Sequence, residues 1–176
     1  MEKIKYKLNL ECLSSFNVSS GEGEDGFIKK HTVKYRNKAY IPGSTLKGLI
    51  KDNFSKLVES KHKKGDCNCP ICSIFGGLEY RPSKIFVDNL YTEERKNIGV
   101  KFGNAIDRYK KVAKDMALFS EEVVFNKNFI GYITLYLDED TKKYKEYVEM
   151  AIKMIDCVGG SKSRGHGFVK IDLEEV

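Results

Sequence analysis

The chain has 176 residues, 41% apolar and 32% charged, with a net charge of +6. That length buries a core of ordinary size, and the composition excludes a disordered polyelectrolyte. No apolar run approaches the roughly 20 residues that span a bilayer, which excludes a helical membrane protein. The opening "MEKIKYKLNL" interleaves lysine with apolar residues. It lacks the unbroken apolar stretch of a secretion signal, so a cytoplasmic location with no membrane contact is expected.

Residues 4–12 alternate, with Ile4, Tyr6, Leu8, Leu10 and Cys12 on one face and Lys5, Lys7, Asn9 and Glu11 on the other. That period of two predicts a strand buried on one side. A loop rich in glycine, serine and acid, "NVSSGEGEDGF", follows. "IPGSTLKGLIKDNF" then opens a helix over about 44–60, its stripe made by Leu46, Leu49, Ile50, Phe54, Leu57 and Val58. Ser44 or Thr45 is the expected N-cap. "KIFVDNLY" (84–91) reads as a strand, and 92–116 as a basic irregular stretch with a short helical piece near 105–114. "ALFSEEVVFNKNFIGYITLYLDED" reads as one or two strands, in which Phe129, Gly131, Ile133, Leu135 and Leu137 alternate with Tyr132, Thr134 and Tyr136. A helix over about 140–157 is striped by Tyr144, Val148, Ala151, Ile152 and Ile155 and stopped by Gly159-Gly160. "GFVKIDLEEV" is the last strand.

The order strand, helix, strand, strand, helix, strand predicts an α+β fold. Its expected core is ferredoxin-like, also the RNA-recognition-motif arrangement: an antiparallel sheet with two helices on one face. One domain over 1–176 is expected, with insertions at 62–76 and 92–116.

Charge is segregated. Residues 27–64 hold eleven Lys/Arg against Asp52 and Glu59, and residues 95–114 hold seven against Asp107. Such segregation suits a polyanion such as nucleic acid, and equally a lysine-rich solvated surface.

Five cysteines divide into two kinds. Cys12 and Cys157 fall on apolar faces and read as small buried hydrophobes. Cys67, Cys69 and Cys72 cluster in "HKKGDCNCPICSIFGG", five residues after His62. In a reducing compartment such clustering predicts a metal site rather than disulfides. His62, Cys67, Cys69 and Cys72 would close a tetrahedral Zn²⁺ shell, making it structural. Asp66 or a residue from elsewhere could replace His62.

Near the C-terminus, "VGGSKSRGHGFVKI" (158–171) packs glycines and serines around Lys162 and Arg164. Glycine lets backbone N–H groups approach a ligand, and arginine offers a planar fork for phosphate. A plain flexible connection has the same composition. The loop gains weight beside "IPGSTLKG", because a helix N-terminus also favours phosphate.

Four blocks together resemble the RAMP superfamily of CRISPR proteins. They are "IPGSTLKG", "HKKGDCNCPICSIFGG", "IDRYKKVAKDMALFSEEVV" (106–124) and "GGSKSRGHGF". The set looks most like the repeated backbone subunit of type III effector complexes. The resemblance implies a ferredoxin-like core with a thumb-like hairpin insertion, and copies stacked into a filament along the guide RNA. It implies RNA contacts at Gly43, Ser44, Thr45, Lys47 and Lys51, at Arg108 in the thumb region, and at Gly160, Ser161, Lys162, Ser163, Arg164 and Gly165. Its partners would be guide RNA, target RNA, copies of itself and other type III subunits. Base pairing would supply sequence recognition, leaving the protein to track the backbone.

Cleaving relatives carry an aspartate shortly before this helix block. The matching position is Lys29, and the usual proline is His31. Lysine supplies no carboxylate for a metal or a proton. Asp25, in the acidic loop, could serve with Mg²⁺ or Mn²⁺, or His31 could act as a general base. A surface loop and an RNA-contacting histidine account for the same residues. The expectation is an RNA-binding scaffold, with target cleavage as the alternative. A stand-alone processing nuclease would want two ferredoxin-like halves. A generic single-strand RNA-binding domain would use exposed aromatics such as Tyr132 and Tyr136.

Overall fold

The computed structural model describes residues 1–19, 28–58, 67–77 and 81–176, Met116 through its backbone alone. Strand β1 (Glu2–Cys12) follows the alternation read from its sequence: Ile4, Tyr6, Leu8, Leu10 and Cys12 are all buried. A small hairpin, β2 (Lys34–Tyr35) and β3 (Lys38–Ala39), turns on Arg36 and Asn37, both at positive φ. Helix α1 (Gly43–Leu57) buries Leu46, Ile50 and Phe54. A short helix α2 (Pro70–Phe75) and strand β4 (Ile85–Val87) follow. A long hairpin, β5 (Ile98–Ile106) and β6 (Ala113–Val124), leads to β7 (Asn128–Leu137). Helices α3 (Glu139–Lys142) and α4 (Lys145–Lys153) precede the last strand, β8 (Val169–Glu175).

The main sheet has the order β4-β7-β1-β8, antiparallel throughout. Counting its four strands along the chain, the order is 2-3-1-4. That order, with α1 and α4 as the crossover helices, is compatible with a ferredoxin-like fold. The helices pack on each other and on one face of the sheet, and Asn53 Nδ2 donates to the Ala151 carbonyl at 3.1 Å across their contact. Phe16, Phe54, Phe129 and the aliphatics of β1 and β7 fill the core between.

Several expectations are corrected. The N-cap of α1 is Pro42, and neither Ser44 nor Thr45 caps it. Instead the Asn89 side-chain oxygen accepts the Gly43 N–H at 2.9 Å. The segment near 105–114 is a hairpin turn, not a helix: Asp107 Oδ1 accepts from the N–H groups of Tyr109 and Lys110, and Lys111 takes positive φ. Strand pairing starts at Ile98, so the basic stretch is largely ordered as β5. The helix expected over 140–157 is two. The first is opened by a capping box between Asp138 and Thr141; α4 ends at Lys153, before the glycines.

Candidate functional site

A cleft of 640 Å³ opens where α1 faces the glycine-rich loop. Thr45, Gly48 and Leu49 form the helix wall; Gly159, Gly160, Ser161, Arg164 and His166 form the loop wall. Lys30, beside β6, and Asn17 to Ser19 complete the lining with Glu121 and Val123. The two phosphate-friendly blocks of the sequence therefore share one cavity. Among the described lining residues Lys30 and Arg164 are the permanent cations and Glu121 is the carboxylate.

Close packing dictates the glycines at the loop ends. Gly159 and Gly167 have φ of +77° and +78°, and a Cβ on either would lie 2.2 or 2.1 Å from a backbone oxygen. Between them, Lys162–Arg164 form a 3₁₀ turn with Ser161 at φ +67°. Five of the loop's N–H groups have backbone partners. Gly160 donates to the Asn17 carbonyl, Arg164 and His166 to Ser161, Gly165 to Lys162, and Gly167 to Ser15. Those amides are held by the fold, and Arg164 adds side-chain charge to the loop.

Lys162 is ion-paired with both oxygens of Asp156, at 2.7 and 2.9 Å, which raises its pKa. Arg164 remains exposed, its guanidinium donating to Ser161 Oγ at 2.7 Å. Ser163 and Gly165 are exposed beside it. His166 ties the loop to two neighbours: Nδ1 lies 3.1 Å from Ser15 Oγ, and Nε2 lies 2.6 Å from Lys101 Nζ on β5.

The helix residues separate. Gly43 is buried, and a Cβ there would meet the Val87 carbonyl oxygen at 2.2 Å, so its glycine serves close packing. Ser44 is exposed, and Thr45 lines the cleft. Lys47 is directed elsewhere, donating to Ser83 Oγ at 2.8 Å; burial and then Lys51 lower its pKa. Lys51 lines an adjoining groove that shares Gly48 with the cleft. Arg108 sits in the turn of the β5–β6 hairpin, outside the cleft lining.

His31 Nδ1 is 3.6 Å from Glu122 Oε2. That carboxylate is already engaged, accepting from the Thr32 N–H at 2.9 Å and from Lys34 Nζ at 2.6 Å. Burial works to raise its pKa, but these donors, with Lys34 first, hold it below the usual value. His31 therefore lies beside a carboxylate that the fold already uses. Asp25 lies outside the described residues.

The thiols of Cys67, Cys69 and Cys72 lie within 4.8 Å of one another. A tetrahedral Zn²⁺ with Zn–S of about 2.3 Å places sulfurs about 3.8 Å apart, so the three fit such a shell. Pro70 starts α2 directly after Cys69, whose Sγ accepts from the Cys72 N–H at 3.4 Å. Arg81 holds the turn from outside, donating to the Cys67 carbonyl at 2.7 Å and to the Asn68 side chain. Burial, followed by a hydrogen bond that the Cys72 thiol donates to Cys69, raises the Cys72 pKa to about 11; a bound cation would oppose that shift. His62 lies outside the described residues.

Sequence reading missed Lys30, Glu122, His166 and Asn89. Lys30 carried visible charge but no motif, and His166 stood within the glycine-rich block without being singled out. Glu122 stood beside Glu121 in "FSEEVVF", and nothing local distinguishes the buried, partnered carboxylate from its neighbour.

The RAMP superfamily model matches residues 9–170 of the chain. No curated protein matches it.

Proposed function

The chain belongs to the RAMP superfamily, whose CRISPR association indicates an RNA-binding role, and we propose that it is a guide-binding backbone subunit of a type III effector complex. The observation that carries this reading is the shared cleft between α1 and the glycine-rich loop. Among the described residues it is lined by the cations Lys30 and Arg164 with one carboxylate, Glu121, and glycines on both walls. Lys30 and Arg164 bind phosphates there, Thr45 and Ser161 offer hydroxyls, and Lys51 extends the track along the adjoining groove. Contacts to a regular backbone are independent of base sequence and weaken with salt.

The β5–β6 hairpin acts as the thumb. Ile106 and Tyr109 are 63% and 96% exposed near its turn, beside Arg108. Exposed apolar and aromatic side chains at the end of a basic hairpin suit insertion between stacked bases. Stacked copies of the chain would repeat cleft and hairpin along the guide, with target RNA paired to it. Cys67, Cys69 and Cys72, with His62 as fourth ligand, hold a structural zinc that fixes the turn before α2. The test is co-purification of the chain with a defined small RNA and multi-copy assembly, which Lys30→Ala with Arg164→Ala should abolish. A monomer free of RNA, from cells with an active CRISPR array, would overturn it.

One observation favours target cleavage as a second reading. Ser19 and Lys30, which flank the acidic segment containing Asp25, both line the cleft. Asp25 would hold Mg²⁺ or Mn²⁺ against the RNA backbone, with His31 nearby as a base. Divalent-dependent cutting lost in Asp25→Ala supports this; cutting that survives both Asp25→Ala and His31→Ala refutes these assignments.

A further inference from the structure

The face of the main sheet opposite the helices carries aromatic and basic side chains that the cleft does not use. Register places Lys3 opposite Tyr136, Lys5 opposite Thr134 and Lys7 opposite Tyr132, all on the face away from the core. Lys5 Nζ sits 4.2 Å above the Tyr132 ring, and Lys3 Nζ 6.0 Å from that of Tyr136. Phe86, from β4 and 53% exposed, meets Tyr136 edge-on with centroids 5.5 Å apart. Isolated solvent-exposed aromatics are ordinary, but here three lie on adjacent strands with lysines over two of them. The acids of the same face lie away from Lys3 and Lys5: Glu11 is at the far end of β1, opposite Asn128, and Asp172 and Glu174 are on β8, Glu174 opposite Lys7.

We propose that this open face binds single-stranded RNA by stacking bases on Tyr132, Tyr136 and Phe86 while Lys3, Lys5 and Lys7 meet the phosphates. The surface is separate from the cleft and does not depend on the guide-binding reading. Charge decides the occupant. An apolar protein partner would bury the lysine ammonium groups without counter-charge, whereas RNA supplies an anion beside every base. Aromatic faces stack any base, so the surface would be tolerant of sequence. In an assembly such a face would engage RNA lying outside the guide track.

The test uses the full chain and a short fluorescent oligouridylate, which forms no duplex. Affinity is measured for the parent, for Tyr132→Leu with Tyr136→Leu, for Lys3→Gln with Lys5→Gln, and for Arg164→Ala alone and with each pair. Ultraviolet cross-links are mapped in parallel. With the cleft weakened by Arg164→Ala, each sheet-face pair should further weaken binding roughly tenfold or more, the loss expected when stacked bases or their phosphates are released. Cross-links should fall in the peptides carrying Phe86, Tyr132 and Tyr136, and should persist in Arg164→Ala. The lysine pair is exposed and leaves the core intact, so it decides the matter should the tyrosine pair misfold. Unchanged affinity on adding the lysine pair to Arg164→Ala, with cross-links confined to the cleft and hairpin, would overturn the proposal. Unchanged affinity with lost self-association would also overturn it, assigning the face to a second copy of the chain.

Discussion

The Asn89 side-chain oxygen accepts the Gly43 N–H at 2.9 Å, so the loop after β4 caps the first turn of α1. The same amide donates to the Tyr91 hydroxyl at 3.3 Å. One asparagine thus joins the start of the cleft helix to the edge of the sheet. Asn89→Ala should cost about 1 kcal/mol, the usual worth of a helix cap. Gly43→Ala should cost on the order of 2 kcal/mol or more, because its Cβ has no room against Val87 and Asp88. Urea unfolding of the two variants checks the order.

Lys47 is the expected RNA contact that the fold redirects. Its ammonium is held by Ser83, so Lys47→Ala should leave RNA affinity within about twofold, and losing that hydrogen bond should cost about 1 kcal/mol of stability. A large loss of affinity with unchanged stability would return Lys47 to the RNA track. Paired RNA titrations and thermal melts separate the outcomes.

The cysteine turn predicts its own metal content. Purified protein should carry about one zinc per chain, the stoichiometry of a closed tetrahedral site. Cys69→Ser or Cys72→Ser should lose it and lower Tm, as should a strong chelator. Metal analysis alongside calorimetry makes the test, and an unchanged melting curve after zinc removal would contradict a structural role.

Asp138 sets an acid limit. Hydrogen bonds from Lys84 and then from Thr141 lower its carboxyl pKa to about 2 from an unfolded 3.8. A depressed pKa stabilises the fold fully above the unfolded value, and that contribution fades as pH falls through the folded one. Asp138→Asn should therefore melt below the parent at neutral pH. The difference should be flat above about pH 5 and close between about pH 4 and pH 2. Because the pair is partly exposed, the difference is small.

Strands β1 and β7 could be read directly, because each has one buried face and the period of two is unbroken through Tyr6 and Ile133. The helix stripes were equally plain. What stayed hidden depends on contacts between distant residues. The cap on Gly43 comes from Asn89, which no local pattern links to it. The β5–β6 hairpin has little burial along most of its length, so its exposed residues give no clean alternation, and its turn resembles a helix start. The cleft was half legible: both walls had recognisable motifs, but Lys30 joins them only because the segment after Ile28 runs beside β6. The cysteine cluster was the clearest site, since its spacing alone brings three thiols together. The loop glycines gave a different lesson, for Gly159 and Gly167 serve close backbone packing rather than an anion.

RNA affinity measured against salt, for two oligonucleotides of unrelated sequence, tests the central claim most directly. The parent should bind both equally, and log affinity should fall linearly with log salt. Removing Lys30 and Arg164 should weaken both alike and reduce the slope by roughly 0.7 for each lost phosphate contact. Equal binding and an unchanged slope in that double variant would contradict a backbone-tracking cleft.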